Sequence, residues 1–508
     1  MMLPCRAGRL FVGVAAVVLT TIGATRADDH LTEARRLWLT GKYAEAQEAY
    51  EARIEAEPVA AAIGIARCLT STGKQPKAAE TLAKALEKHT DVADLHAEAA
   101  LLALDRGDDA MADREAEAAR AIDDDHLLAR WVQAERMRQT GKLAEADAAY
   151  KWFVDYYNAK DVSDAEQLRI IGRAAAEFAR WNRFSDQFTF LVNDLYPSAI
   201  DADSQYWQAH YETGLLFLEK YNQAEASKAF KAALEINPSA AEVYAAMARL
   251  SIQNYELEEA RRRIERARQI NPRLLEAELC QADSHLANFE TAEAIDVLEK
   301  ARKLNPHAEE TLGRLAAAFA VVDRIKDDET GTRFGQLCEQ AIQRNEHCGV
   351  FFNAVGASFD LTRKYPAAAR YLKVAVERMP QLTEPRGSLG MVYMRLGEEV
   401  EARKLLDESF EIDPFNVRVS NTLKVLEVLD SYAVIETDHF VIKFDRGKDE
   451  VLARYASRYL EETVYPELTK KFGFEPPQKS LFEFFNRAKN TSGHGWFSAR
   501  MVGLPYIG

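Results

Sequence analysis

Cysteine is scarce: five residues in 508, with no two at zinc-ligand spacing, which excludes compact zinc modules and disulfide-stapled small domains. Cys5 lies in the N-terminal leader, and Cys68, Cys280, Cys338 and Cys348 fall in separate segments. Cys338 and Cys348 could bridge in an oxidising compartment, yet small buried thiols in helix packing are the commoner case. His-Glu-x-x-His occurs nowhere. His439 and His494 stand alone, and His347 follows Glu346 without a second histidine. Basic charge is also short, with 65 Lys and Arg against 80 Asp and Glu and a net charge of -15. A chain this acidic is not built to neutralise phosphates, so nucleic acid is excluded as a partner. The acidic surface is either simply solvated or open to a basic protein partner.

Long apolar runs are missing too, except Leu10 to Ile22. Arg6 and Arg9 precede that run and Ala27 follows it, the layout of a secretory signal cut after Ala27. Uncleaved, the segment would be a membrane anchor, but it falls short of the roughly 20 residues that span a bilayer. The expectation is export to a periplasmic or extracellular space. Removing residues 1–27 takes away three arginines, which moves the charge from -15 to -18. Residues 431–508 are nearly balanced, so the acidic excess lies on what precedes them.

What is present is repetition. Asn237-Pro238, Asn271-Pro272 and Asn305-Pro306 recur at 34-residue intervals. Counting from Trp207, Ala241 and Leu275, position 8 is Gly214, Ala248 and Ala282, and position 20 is Ala226, Ala260 and Ala294. Position 24 is Phe230, Ile264 and Leu298, and position 27 is Ala233, Ala267 and Ala301. Small residues at 8, 20 and 27 let two helices approach as an antiparallel hairpin, and the large residue at 24 fills the remaining space. Proline ends the second helix, and Asn suits a residue that proline pushes out of the helical region. A lone hairpin cannot bury its apolar face, so hairpins must stack.

This spacing resembles the tetratricopeptide repeat. The turns Gly41-Lys42-Tyr43-Ala44-Glu45-Ala46 and Gly141-Lys142-Leu143-Ala144-Glu145-Ala146 resemble its inter-helix turn. Positions 8 and 20 recur as Ala34 with Ala46, Ala66 with Ala78, Ala100 with Ala112 and Ala134 with Ala146, which places four repeats in 28–160. Pro58 ends the first, whereas Thr90, Asp124 and Asn158 stand where later repeats carry proline. Residues 161–206 break register and read as a degenerate hairpin around Asn182-Arg183. Residues 207–430 resume the array, with a polar loop at 323–333 and a closing helix over 415–430 that uses Val417, Val419, Leu423, Leu426 and Leu429. The predicted fold is thus mostly α, an α-solenoid of about ten hairpins.

The resemblance implies a protein or peptide partner in a concave groove lined by the first helices. It assigns Trp131, Glu135, Arg138, Tyr211, Arg249 and Asp283 to that groove, together with Trp38, Arg67, Asn353, Met391 and Met394. No Lys and Asn pair of the kind that clamps a terminal carboxylate is present, since Leu31, Arg35, Tyr211 and Leu215 occupy comparable positions.

Beyond Ser431 the period changes to that of strands. Val434 to Phe444 alternates around a turn at Thr437-Asp438, helix returns over 449–471 with a bend at Pro466, and strands follow at 480–485 and 499–507. Phe440-Val441-Ile442-Lys443-Phe444-Asp445, Tyr465-Pro466, Phe472-Gly473-Phe474, Gly493-His494-Gly495-Trp496-Phe497-Ser498-Ala499-Arg500 and Gly503-Leu504-Pro505 resemble the opening of peptidase MA-like domains, which are gluzincin-type zinc metallopeptidases. Their chemistry needs two histidines one helical turn apart on zinc and a glutamate to activate water. Without that pentapeptide, the expectation is no catalytic residue, no metal ligand and no cofactor in this chain, with zinc only if a complete peptidase domain follows. The small α+β segment at 431–508 therefore reads as incomplete. Three readings remain open: an exported scaffold for protein binding, the front portion of a zinc peptidase, or an array whose C-terminal segment is only a degenerate cap on the last repeat.

Overall fold

Every packing position read from the repeat is buried. Ala248, Ala282, Ala226, Ala260, Ala294, Phe230, Ile264 and Leu298 are all 0% exposed, as are Ala34, Ala46, Ala100 and Ala112 in the earlier repeats. Gly214 is required by its partner at position 24, because a Cβ there would run into the Phe230 ring. Ala260→Leu should therefore cost about 1–3 kcal/mol through overpacking, while exposed Glu258 should tolerate alanine within about 0.5 kcal/mol. Thermal denaturation of both variants beside the parent checks the register.

The computed structural model describes residues 25–325, 329–485 and 501–505. The leader at 1–24 and the motif residues 493–500 lie outside them. The chain divides into two compact units, Met1–Cys348 and Gly349–Gly508, a division that falls inside the run the repeat pattern joins as 207–430.

In the first unit, helical hairpins follow one another from Thr25–Leu39 with Tyr43–Glu51 through to Glu309–Val322 with Arg333–Arg344. Polar caps start several helices. Asp108, Asp164, Asn222 and Thr332 each accept a hydrogen bond from a backbone N–H two or three residues into the first turn, which satisfies one of the donors the helix leaves free. The degenerate hairpin has an intact first arm, Ala165–Asn182, which ends on Arg183 in the left-handed conformation. Its second arm is broken into Gln187–Phe190, a π-helical turn at Leu191–Leu195, and Tyr196–Ala202.

A contact that the repeat pattern does not foretell joins hairpins 194 to 207 residues apart. The turns after the first helices of the four leading repeats hold Gly41, Gly73, Gly107 and Gly141, with φ of 78°, 75°, 70° and 76°. Against them lie Asn237, Asn271, Asn305 and Asn345, and a Cβ on any of these glycines would come within 2.7 Å of the facing Asn Oδ1. Each Asn does two jobs. Its Oδ1 accepts from the backbone N–H two residues on (Ser239 2.9 Å, Arg273 3.1 Å, His307 2.9 Å, His347 2.8 Å), which shapes the turn that ends the second helix. Its Nδ2 donates across the gap, to the Tyr43 hydroxyl at 3.1 Å, the Thr70 carbonyl at 3.2 Å, the Asp105 carbonyl at 3.2 Å and the Arg138 carbonyl at 3.5 Å. Three of those acceptors are carbonyls of a last helical turn, and two of them, Thr70 and Arg138, also accept from the turn glycine N–H, Gly73 at 3.1 Å and Gly141 at 3.2 Å. The Asp109–Arg344 ion pair (2.6 Å) adds to one end. The array thus winds back on itself, and successive turns meet along a seam.

The equivalent turn positions in the three central repeats are Tyr221, Tyr255 and Phe289, at φ 55°, 57° and 62°. The left-handed conformation costs a non-glycine residue about 1 kcal/mol. Glycine is kept at the four positions where an Asn would collide with a side chain.

The second unit carries two more hairpins, Gly349–Leu361 with Tyr365–Arg378 and Glu384–Leu396 with Glu399–Ile412, and then the helix Val417–Asp430. Val419, Leu426 and Leu429 of that helix are buried, but Val417 is 37% exposed, because it opens the helix before the buried face begins. A sheet of order β1-β2-β3-β4 follows: β1 (Ala433–Glu436), β2 (Phe440–Phe444), β3 (Ser480–Phe485) and β4 (Met501–Pro505). β1 and β2 are antiparallel, whereas β2, β3 and β4 run parallel. Between β2 and β3 the helix Glu450–Tyr459 passes through a π-helical turn at Leu460–Val464 into Tyr465–Phe472. The expected bend thus precedes Pro466, which sits in the first turn where its missing N–H costs nothing. Lys443 on β2 pairs with Glu399 of the last hairpin, which ties sheet to helices.

Candidate functional site

The groove positions of the first helices prove to be unevenly accessible. Trp131 is 4% exposed, since the Arg173 guanidinium lies 4.3 Å from its ring centroid and Tyr150 packs 6.1 Å away. Glu135 accepts from Arg138 (2.9 Å) and from the Tyr150 hydroxyl (2.7 Å). Burial alone would raise its pKa, but those partners hold it below the usual carboxylate value. Asp283 takes both arms of Arg314, at 2.7 and 2.9 Å. Tyr211 lies between the Trp207 and Phe230 rings, and burial with nearby Glu276 pushes its phenol well up. Arg249 is exposed. Met391 and Met394, expected in the groove, are instead 3% and 0% exposed. They are core residues with Val419, Leu426 and Phe485, because the closing helix and β3 cover the end of the array.

Ion pairs link the first helices of successive hairpins in the first unit. Arg67 donates to Glu98 at 2.8 Å and to Glu166, on the degenerate hairpin, at 2.7 Å. Arg35 reaches Asp203 at 2.6 Å. Arg169 bonds Glu212 at 2.8 Å, and Arg180 joins Glu177 at 2.6 Å and Glu219 at 2.8 Å. Burial opposes the Glu219 charge, yet Arg180 and Lys220 bring its pKa down to about 2. Repeat counting passed over Arg169, Arg173 and Arg180, because 161–206 has no register. Their spacing of four and seven residues places them on one helical face, and that signal was available.

Other acids of the first helices have no such partner. Glu242 and Glu276 are second residues of their helices, and Asp105 is the last residue of its helix. Enclosure by protein, then the neighbouring Glu276 charge, raises Asp105 to about 7. Enclosure also raises Glu242 to about 6, and Glu276 moves upward for the same reason with Glu310 beside it. Asp105 and Glu276 nevertheless remain exposed to water. The first unit therefore combines neutralised Arg–carboxylate pairs with carboxylates held at a cost. Such a surface can bind charge and position a chain. No cluster among the described residues has the make-up of a metal site. His439 is engaged by the Glu461 carboxylate and stacks on Tyr465, and His494 lies outside the described residues.

Residues 31–93 match the tetratricopeptide repeat family model. No curated protein matches the chain. Among solved structures, a protein from the study "Functional Characterization of Pseudomonas Aeruginosa pilF" is 16% identical over 43% of this chain and 97% of its own, with a TM-score of 0.27. Yeast Tom70 is 13% identical over 80% of this chain and 97% of its own, with a TM-score of 0.26. The family match covers the leading repeats, and with the same buried positions recurring through the later hairpins the chain is an α-solenoid of stacked helical hairpins followed in sequence by a small mixed sheet.

Proposed function

We propose that the chain is an exported scaffold that holds an extended, lysine- or arginine-bearing segment of a partner protein against the concave side of the 28–348 array. The observation that carries this reading is the set of carboxylates Asp105, Glu242 and Glu276, each with its pKa raised and none given a basic side chain of its own. Carboxylates kept in an unfavourable setting are a mark of functional sites, and a cationic side chain would relieve them. The net charge of -15 favours the approach of such a partner.

Anisotropy titrations of dye-labelled peptides that differ only in Lys against Glu content test it. Lysine peptides should bind, and Glu242→Gln with Glu276→Gln should weaken them about tenfold, the scale of 1.4 kcal/mol. Equal affinity for both peptide sets, or no change in the double variant, refutes the reading.

Export rests on the leader pattern of Arg6, Arg9, Leu10 to Ile22 and Ala27. N-terminal sequencing of material from the native host should begin near Asp28. For 431–508 we carry forward the peptidase MA-like resemblance, which rests on Phe440 to Asp445, Tyr465-Pro466, Phe472-Gly473-Phe474 and Gly493 to Arg500. In that reading zinc chemistry belongs to a His-Glu-x-x-His helix, which this sequence does not contain, and the array presents substrate.

A further inference from the structure

We propose that the seam of the 25–348 array is a clasp that opens and closes with the charge state of Asp105 and Glu276, and so sets how wide the concave side stands. Two of its four steps, at Asn271 and Asn305, rest on little more than an Asn amide and a glycine. Hairpin stacking, by contrast, buries whole rows of apolar side chains. Of the two kinds of contact, the seam is the one that can part while the hairpins stay folded.

Charge is placed to drive that parting. Asp105 belongs to the first turn of the superhelix and lends its backbone carbonyl to Asn305 as a seam acceptor. Its carboxylate is repelled by Glu276, which belongs to the second turn. Glu98 of the same helix adds to the repulsion. Arg173 and Arg169 face Asp105 from the helix Ala165–Asn182 and oppose it, but Arg169 is held by Glu212, and Arg173 lies over Trp131. Glu276 is faced by Glu310 and Arg173, and Glu242 adds another negative charge nearby.

The direction with pH follows. Enclosure and Glu276 raise Asp105 to about 7 in the closed state, so closing the seam takes up protons. Closure is complete below the ordinary carboxylate pKa of about 4 and weakens as pH rises through about 7. This motion stands whichever partner the concavity holds.

The test places pyrene on cysteines introduced as Lys74→Cys and Arg273→Cys, in a chain with Cys5→Ser. Both sites are exposed, and they flank the step where Gly73 abuts the Arg273 backbone. The other native cysteines are buried. Excimer emission relative to monomer should fall roughly twofold or more from pH 5.5 to 8, while far-UV circular dichroism stays constant. Asp105→Asn with Glu276→Gln should remove the pH dependence and leave the ratio high. Asn271→Ala, which removes a seam hydrogen bond without a clash, should lower the ratio at both pH values, as should Gly107→Ala if it keeps its helicity. A ratio that is flat with pH in the parent, a pH dependence that survives Asp105→Asn with Glu276→Gln, or an Asn271→Ala variant identical to the parent would each overturn the proposal.

Discussion

Phe230→Ala is expected to destabilise the central repeats by about 3–5 kcal/mol, the range for truncating a buried aromatic ring. Phe230 is 0% exposed, its ring lies over Gly214, and Tyr211 packs 6.3 Å away. Neither neighbour can fill the cavity, because glycine has no side chain and Tyr211 is held by Trp207 on its other side. An array need not unfold in one step, so the readout is amide exchange over 207–240 together with urea denaturation. Specificity comes from a double variant. Gly214→Ala should be harmful in the parent, where its methyl meets the ring, yet restorative in the Phe230→Ala background, where the same methyl enters the vacated space. A sign change of this kind measures direct coupling. If the two changes add simply, the hairpin contact at positions 8 and 24 is not the one described.

Arg67→Ala should be nearly as costly, at about 2–4 kcal/mol near neutral pH, because removing one partner of a partly buried pair leaves charge uncompensated. Here one guanidinium serves two carboxylates, Glu98 and Glu166. Even beside Arg67, burial keeps the Glu98 pKa raised, whereas burial of Glu166 is outweighed by the arginine, which lowers it. Without Arg67 both should rise above their unfolded values. Stability in the variant would then be retained at low pH and lost as pH rises through the raised values, so the deficit should be smaller at pH 5 than at pH 8. Chemical denaturation at the two pH values checks this. Replacing all three side chains by apolar residues of similar size should recover most of the loss. A deficit that does not change with pH would mean that the carboxylates find other partners.

The buried positions of the hairpins were legible because nearest-neighbour packing repeats with the chain. Ala260, Phe230 and their equivalents meet the same surroundings every 34 residues, so periodicity alone locates them. The seam was not legible in that way. Asn at position 31 read as a companion of proline, and its amide proton donor finds an acceptor only about 200 residues away. The trace it left was a difference between repeats: glycine at the turn in the four leading ones and Tyr or Phe at the same place in the central three. The site was half legible for a related reason. Glu135, Arg138, Tyr211 and Asp283 could be named from their place in the repeat, but a periodicity argument cannot say that Arg173 roofs Trp131 or that β3 and the closing helix bury Met391 and Met394.

Contacts between hairpins far apart in sequence also change how the molecule comes apart. In an open array each repeat is coupled only to its two neighbours, so unfolding spreads like a break in a one-dimensional chain and the ends fray freely. Stitching the leading repeats to later ones through Asn237, Asn271, Asn305 and Asn345 turns that line into a lattice rolled on itself, in which each stitched hairpin has an additional neighbour. Fraying of the first hairpin then costs a contact at Asn237 as well as one at the second hairpin. Duplication or loss of a single repeat between the stitched segments, harmless in a line, would slide one row of contacts past the other and set an Asn against the wrong turn.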